Sequence, residues 1–268
     1  MTRTLALLTL SALALGAADN TLTPEEKKEG FRLLFDGKTY KNFRDPSKET
    51  PPGDSWTIED GCLTTLPKAL RQEDLITAKA YGDFELRFSW KVSEGGNTGL
   101  KYRQQRTVYL DPKQMKGPFE ANVQKQIDSP TVERAKLAAD AKGQEYTVAF
   151  EMQLIDDLRH PDAKKSEDRK TGALYSMLAP TKHPAHPAGE WNDARLILKG
   201  THFEHWINGE LVLSGTLDDP AGLASLKHRW ENGPAVYEIL AHEKLTGQFS
   251  LQHHGDKVWF KNLRIKEN

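Results

Sequence analysis

Cysteine is all but missing: Cys62 stands alone among 268 residues. No internal disulfide can form, so the fold depends on its apolar core. A surplus of charge is missing too. The chain carries 37 basic and 38 acidic residues, a formal charge of −1, which excludes broad electrostatic attraction to nucleic acid or an anionic membrane. Long apolar runs are also lacking, and the run from Leu5 to Leu15 is shorter than a bilayer requires. It follows Arg3 and precedes Gly16, Ala17 and Ala18, the order of a secretory signal peptide cut after Ala18. The expectation is a periplasmic or secreted protein with no membrane insertion after cleavage. Residues 19–268 then form one domain, with Cys62 as buried packing.

What is present is alternation. In Tyr146–Asp156, Val148, Phe150, Met152 and Leu154 fall on one side, and Glu151 and Gln153 on the other. Phe84, Leu86, Phe88, Trp90 and Val92 alternate with polar residues in the same way. Leu100 and Tyr102 oppose Lys101 and Arg103, while Phe249 and Leu251 oppose Gln252 and His254. Asp60-Gly61 and Asn208-Gly209 mark hairpin turns. Thr23 opens a short helix, Ala221–Glu231 reads as another, and Gly172–Leu178 reads as a strand carrying Tyr175. Gln104–Gln144 breaks the pattern and reads as an insertion, with a helix over Glu133–Lys142. Many short strands, hairpin turns and little helix predict an all-β sandwich of two antiparallel sheets.

Three strands thus pair an apolar face with functional groups: Lys101 with Arg103, Glu151 with Gln153, Gln252 with His254. Solvated outer faces are the plain reading. The alternative is a groove of amides, carboxylates and cations, with Tyr175 nearby, suited to sugar hydroxyls. His183 and His186 are read as loop histidines, because Pro184 and Pro187 forbid the helix that would bring them together. The spacing Glu151-x-Gln153-x-x-Asp156 is similar to the Glu-x-Asp-x-x-Glu strand of laminarinase-like glycosidases. Asp156 lies on the apolar parity, so it joins Glu151 only if the strand bulges or ends between them.

A wider resemblance runs along the chain. Glu29–Lys38, Asp83–Phe88, Gly95–Arg103 (with Asn97), Phe150–Asp156, His160–Ala163 and Gly172–Tyr175 come first. Gly189–Asn192, Asn208-Gly209, Leu251–Gly255 and Phe260–Ile265 complete it. In number and order these pieces resemble the 3-keto-disaccharide hydrolase domain family. The resemblance implies a concanavalin A-like jelly roll, export, and action on small 3-keto-glycosides supplied by an upstream sugar oxidoreductase. A C3 ketone acidifies the C2 hydrogen, so a base can remove it, the C1 substituent leaves, and water adds to the enone. Such a site needs a base, an enolate stabiliser and an acid. Glu151, His254 and Lys101 are the catalytic candidates, with Asn97, Arg103, Gln153, Asp156, Tyr175 and Gln252 as substrate-binding candidates. A divalent metal ion is a candidate cofactor, with Glu151, His254, His160 and Asp162 as its ligands. The competing expectations are a non-catalytic carbohydrate-binding module and a retaining glycosidase using Glu151 and Asp156.

Overall fold

Alternation along the chain becomes two sheets laid face to face. The computed structural model describes residues 18–45, 53–130, 142–242 and 244–268. The expected signal peptide therefore lies, apart from Ala18, outside the described residues, as does the expected Glu133–Lys142 helix apart from Lys142. The strands begin with β1 (Arg32–Leu33), β2 (Phe43–Arg44), β3 (Trp56–Glu59), β4 (Cys62–Thr65), β5 (Arg71–Gln72), β6 (Leu75–Thr77) and β7 (Phe84–Val92). They continue as β8 (Asn97–Leu110), β9 (Gly143–Ile155), β10 (Asn192–Lys199), β11 (His202–Ile207), β12 (Glu210–Thr216), β13 (Ser250–Leu251) and β14 (Val258–Glu267). The helices are α1 (Pro24–Lys28), α2 (Phe119–Asp128), α3 (Pro220–Arg229) and α4 (Pro234–Ala241). None is long and apolar enough to cross a membrane.

One sheet runs β12-β11-β10-β7-β14-β4-β3, with β1 added on β14; the other runs β2-β6-β13-β8-β9-β5. The pairings are antiparallel except where β5 lies parallel to β9. The apolar parities meet between the sheets. Phe84, Leu86, Phe88, Trp90 and Val92 of β7 share one core with Val148, Phe150, Met152 and Leu154 of β9. Each such side chain contributes about 1.5–3 kcal/mol on burial, which replaces the missing disulfides. Cys62 is buried, as expected. The result is the concanavalin A-like β-sandwich.

Turn chemistry fixes the hairpins. Asp60 and Gly61 both take positive φ (50° and 74°), as do Asn208 and Gly209 (48° and 80°), which suits tight strand reversals. At α1 the Thr23 hydroxyl accepts from the Glu26 amide while the Glu26 carboxylate accepts from the Thr23 amide, a complete capping box.

The structure departs from the sequence reading in four places. β8 continues through a bulge between Tyr102 and Arg106 as far as Leu110, so Gln104–Leu110 belongs to the sheet and not to the expected insertion. Gly172–Leu178 forms turns and isolated bridges, because Gly172 and Ser176 take φ of 87° and 56° and break a strand. β13 ends at Leu251, which leaves Gln252 and His254 on the following loop. Neither helix α2 nor helix α4 was anticipated, the helix expected in the insertion being Glu133–Lys142.

Candidate active site

Register assembles the floor of the site. β8 pairs with β9 so that Lys101 faces Glu151 and Gly99 faces Gln153. β13 pairs on the other edge of β8, placing Ser250 beside Lys101, and the Gln252 amide then donates to the Gly99 carbonyl at 2.9 Å. Directly opposed residues share a face, so the polar parities of three strands converge on the outer side of this sheet. Gly99 is small for a reason: a Cβ there would sit 2.8 Å from Cγ and Cδ of Glu151. The carboxylate lies across the space that a side chain would fill.

Above this floor is a cavity of about 330 Å³. Asn97, Glu151, Gln153, Gln252 and His254 line its sheet side, and Asp162, Lys165, Arg169 and Tyr175 form a loop wall. Phe119 and Glu120 of α2 and Arg229 of α3 close the far side over Tyr146. The two helices are tied together across the mouth by an Arg229–Glu120 ion pair.

The amides are primed for a ligand. Gln153 is 1% exposed, yet neither end of its amide has a hydrogen-bond partner among the described residues. The side-chain oxygens of Asn97 and Gln252 are equally unpartnered. A buried polar atom without a partner costs about 1–3 kcal/mol. Four such atoms lining one cavity are explained by a bound molecule rich in hydroxyl and carbonyl groups.

Two carboxylates in the cavity are held in opposite states. Burial pushes Glu151 up to about 7, and the neighbouring Lys101 charge pulls it back only in part. Burial also opposes ionisation of Asp162, but hydrogen bonds from Lys165 and Tyr175 and the Arg169 charge bring it down to about 2. Tyr175 donates to Asp162 at 2.7 Å and accepts from Arg169 at 2.9 Å. Burial, and then that carboxylate, push the Tyr175 phenol well up. His254 opens onto the cavity but is ringed by protein, and this burial lowers its pKa, leaving a neutral imidazole at neutral pH. Burial raises the Tyr146 phenol, with Arg229 and Lys101 opposing that rise.

Several predicted site residues are placed elsewhere. Arg103 shares the parity of Lys101, but the bulge gives it φ of 55° and turns its guanidinium to the Gly200 carbonyl (2.6 Å) beside Asp83. It is therefore not on the cavity lining. Asp156 falls just past the end of β9. Its carboxylate accepts from the amides of Gly95 (2.8 Å), Leu158 (3.1 Å) and Arg159 (3.2 Å), so it shapes a loop. A nucleophile–acid pair of Glu151 and Asp156 has no support in this arrangement. Lys101 is 1% exposed and bound to Asp74 at 2.8 Å, so it lies under Glu151, off the lining. It acts on the site from below, through Glu151 and through the Tyr146 ring, whose centroid lies 5.1 Å from its Nζ.

The metal candidates also regroup. His160, His254 and Asp256 each offer a ligand atom within 4.8 Å of the others, whereas Asp162 is spent on its loop network and Glu151 stands over Lys101. Two imidazoles and a carboxylate suit a borderline divalent cation. As placed, His160 Nδ1 accepts from the Asp162 amide at 3.0 Å, a bond that ligation through Nε2 would have to release. The sequence reading missed Asp256, Asp74, Gly99, Tyr146, Glu120 and Arg229. Only Asp256, in the Gly255-Asp256 turn beside His254, carried a local signal.

Comparison with known proteins agrees with the geometry. The chain is 33% identical over 253 residues to a 3-keto-disaccharide hydrolase of Bacteroides thetaiotaomicron, covering 89% of this chain and 78% of that protein. A crystal structure from Parabacteroides distasonis, provisionally described as a glycosyl hydrolase, superposes with a TM-score of 0.69 at 30% identity. That match covers 94% of this chain and all of the other. A second structure with the same description and source matches at 20% identity and TM-score 0.58, over 89% of this chain and 99% of that one, which shows the shared fold. Residues 30–266 match the 3-keto-alpha-glucoside-1,2-lyase-like domain, and the chain belongs to that family.

Proposed function

We propose that this protein is an exported enzyme that cleaves 3-keto-glycosides by elimination across C1–C2 followed by hydration. The observation that carries the reading is Glu151: a carboxylate held near neutrality, on the floor of a cavity whose amides lack partners. A general base works best when its pKa lies near the working pH. The relatives' names, a 3-keto-disaccharide hydrolase and a glycosyl hydrolase, support the substrate class.

In the first half, ionised Glu151 takes the C2 proton, and the C2–H electron pair moves toward the C3 ketone. The unpartnered Gln153 amide donates to the enolate oxygen. The C1–O bond then breaks, its electrons leaving with the oxygen, and the Tyr146 phenol protonates it. The tyrosinate so formed is steadied by Arg229 and Lys101. In the second half, tyrosinate takes a proton from water, the water oxygen bonds to C1, and Glu151 returns its proton to C2. Asn97, Gln252 and neutral His254 hold sugar oxygens. A divalent cation on His160, His254 and Asp256 would add Lewis-acid polarisation of a sugar oxygen. An upstream oxidoreductase has to install the ketone, since nothing in this scheme oxidises an alcohol.

The test is incubation of the protein with an α-glucoside and, separately, its 3-keto form, with products resolved. Cleavage of the keto form alone is expected. Cleavage of the unoxidised sugar would replace the reading with an ordinary glycosidase, and binding of both without cleavage would replace it with a lectin. Prolonged dialysis against a chelator lowers turnover if the cation participates and leaves it unchanged if it does not.

A further inference from the structure

We propose that Asp74 is a positioning residue for the base: it anchors the Lys101 ammonium so that Glu151 has a cation beneath it without being locked into an ion pair. Asp74 immediately precedes β6, two strands away from Lys101, and is fully buried. The Lys101 Nζ lies 2.8 Å from Asp74 Oδ2, and both side chains are 1% exposed or less. Lys101 and Glu151 are nonetheless direct cross-strand neighbours, the arrangement in which opposite charges ordinarily pair. Among the described residues the ion pair of Lys101 is with Asp74.

Asp74 is well placed to win that competition because it is itself fixed. Its Oδ1 accepts from the His253 amide at 3.2 Å, and its Oδ2 accepts from the Ser250 hydroxyl at 3.4 Å. Asp74 therefore stays put and draws Lys101 down into the sheet, away from the cavity. Burial alone would push Lys101 toward the neutral form, but Asp74, with help from Glu151, holds it charged. Glu151 feels the Lys101 cation and, more weakly, the Asp74 anion, and with no ion pair of its own its carboxylate stays free to take a proton from substrate. A base locked in a buried ion pair would be a far weaker one.

The other groups facing Glu151 are Arg229 from α3, Asp162 from the loop after β9, and the phenols Tyr146 and Tyr175. His254 shares the cavity. Substituting Asp74 keeps these groups, so a change in Glu151 reports the loss of the Asp74 charge together with the release of Lys101.

The inference rests on Glu151 being the base of the proposed site, but its test needs no substrate. The carboxyl titration of Glu151 is followed by carbon-detected NMR in the full-length protein, with Glu151→Gln used to assign the signal. Asp74→Asn keeps the shape and frees the ammonium to turn to Glu151, whose midpoint should fall by about one pH unit or more. An unchanged or higher midpoint overturns the proposal. If Asp74→Asn does not fold, Lys101→Met serves instead. It removes the cation and leaves the Asp74 charge bare, so the Glu151 midpoint should rise, and no rise overturns the proposal. Movement of these midpoints without cleavage of a 3-keto-glucoside would leave the coupling of Asp74, Lys101 and Glu151 standing and discard the proposed function.

Discussion

Glu151 and Asp162 line the same cavity, yet one sits near 7 and the other near 2. Burial pushes both upward, and only at Asp162 do donors overcome it. Asp162 accepts from Lys165, Arg169 and Tyr175 at 2.7–2.9 Å, and charge-assisted bonds of that kind hold a carboxylate ionised. The Glu151 side chain accepts no hydrogen bond among the described residues, and its nearest cation is engaged by Asp74. The loop wall uses its carboxylate as a fixed strut, and the sheet floor leaves its own free to exchange a proton.

The sharpest way to break this contrast is to exchange each acid for its amide. Glu151→Gln should lower kcat on a 3-keto-glucoside by about 10²–10⁴-fold while leaving the fold intact. Asp162→Asn should do the reverse, costing about 2 kcal/mol of stability with a smaller loss of turnover. Steady-state kinetics and thermal melts of both variants decide it. Equal kinetic losses would mean that the strut is also a catalyst.

Gly99 gives a subtler break. Its neighbour Glu151 fills the space where a Cβ would go, 2.8 Å from Cγ and Cδ, so Gly99→Ala displaces the base without touching its chemistry. A displacement of about 1 Å can cost about 10²-fold in rate. The expected result is a fall in kcat of that order with a melting temperature near wild type. Retained kcat would show that the carboxylate has room to move.

pH sharpens the comparison further, because the two acids pull in opposite directions. The base must be ionised, so kcat/KM should fall about tenfold per unit as pH drops below about 7 and level off above it. For stability, the raised Glu151 contributes fully below its ordinary 4.5, and that contribution is withdrawn as pH rises through about 7. The lowered Asp162 contributes above its ordinary 3.8, and its share is lost as pH falls through about 2. Denaturant titrations across pH, with Glu151→Gln and Asp162→Asn as controls, separate the two slopes.

This contrast also marks where sequence stops being informative. Period-two spacing put Val148, Phe150, Met152 and Leu154 in the core and Glu151 and Gln153 on the open face, because side-chain direction in a strand is local. The same rule misplaced Arg103, since one left-handed residue at a bulge reverses parity and nothing in Tyr102-Arg103-Gln104 announces it. Asp156 was misread because, although the strand does end before it, backbone amides claim its carboxylate. Asp74 and Arg229 were out of reach altogether. Each meets Glu151 only once β6, β9 and α3 are packed together, and a buried ion-paired Asp has the same local sequence signature as a solvated one.

The smallest effect is expected at Tyr175, the one strut donor with no charge. Tyr175→Phe removes a 2.7 Å hydrogen bond to Asp162 while Lys165 and Arg169 keep theirs. A bond to a charged acceptor is worth about 1.5–3 kcal/mol, and with two donors remaining the lower end applies. For a chain of this size that lowers Tm by about 3–6 °C at neutral pH. The deficit should shrink as pH approaches 2, where the carboxylate that made the bond strong takes up a proton. Kinetically the wall loosens while the base is untouched, so KM should rise a few-fold with kcat preserved. A fall in kcat with KM unchanged would instead place the Tyr175 phenol among the proton donors of the reaction, and the division between fixed wall and working floor would not hold.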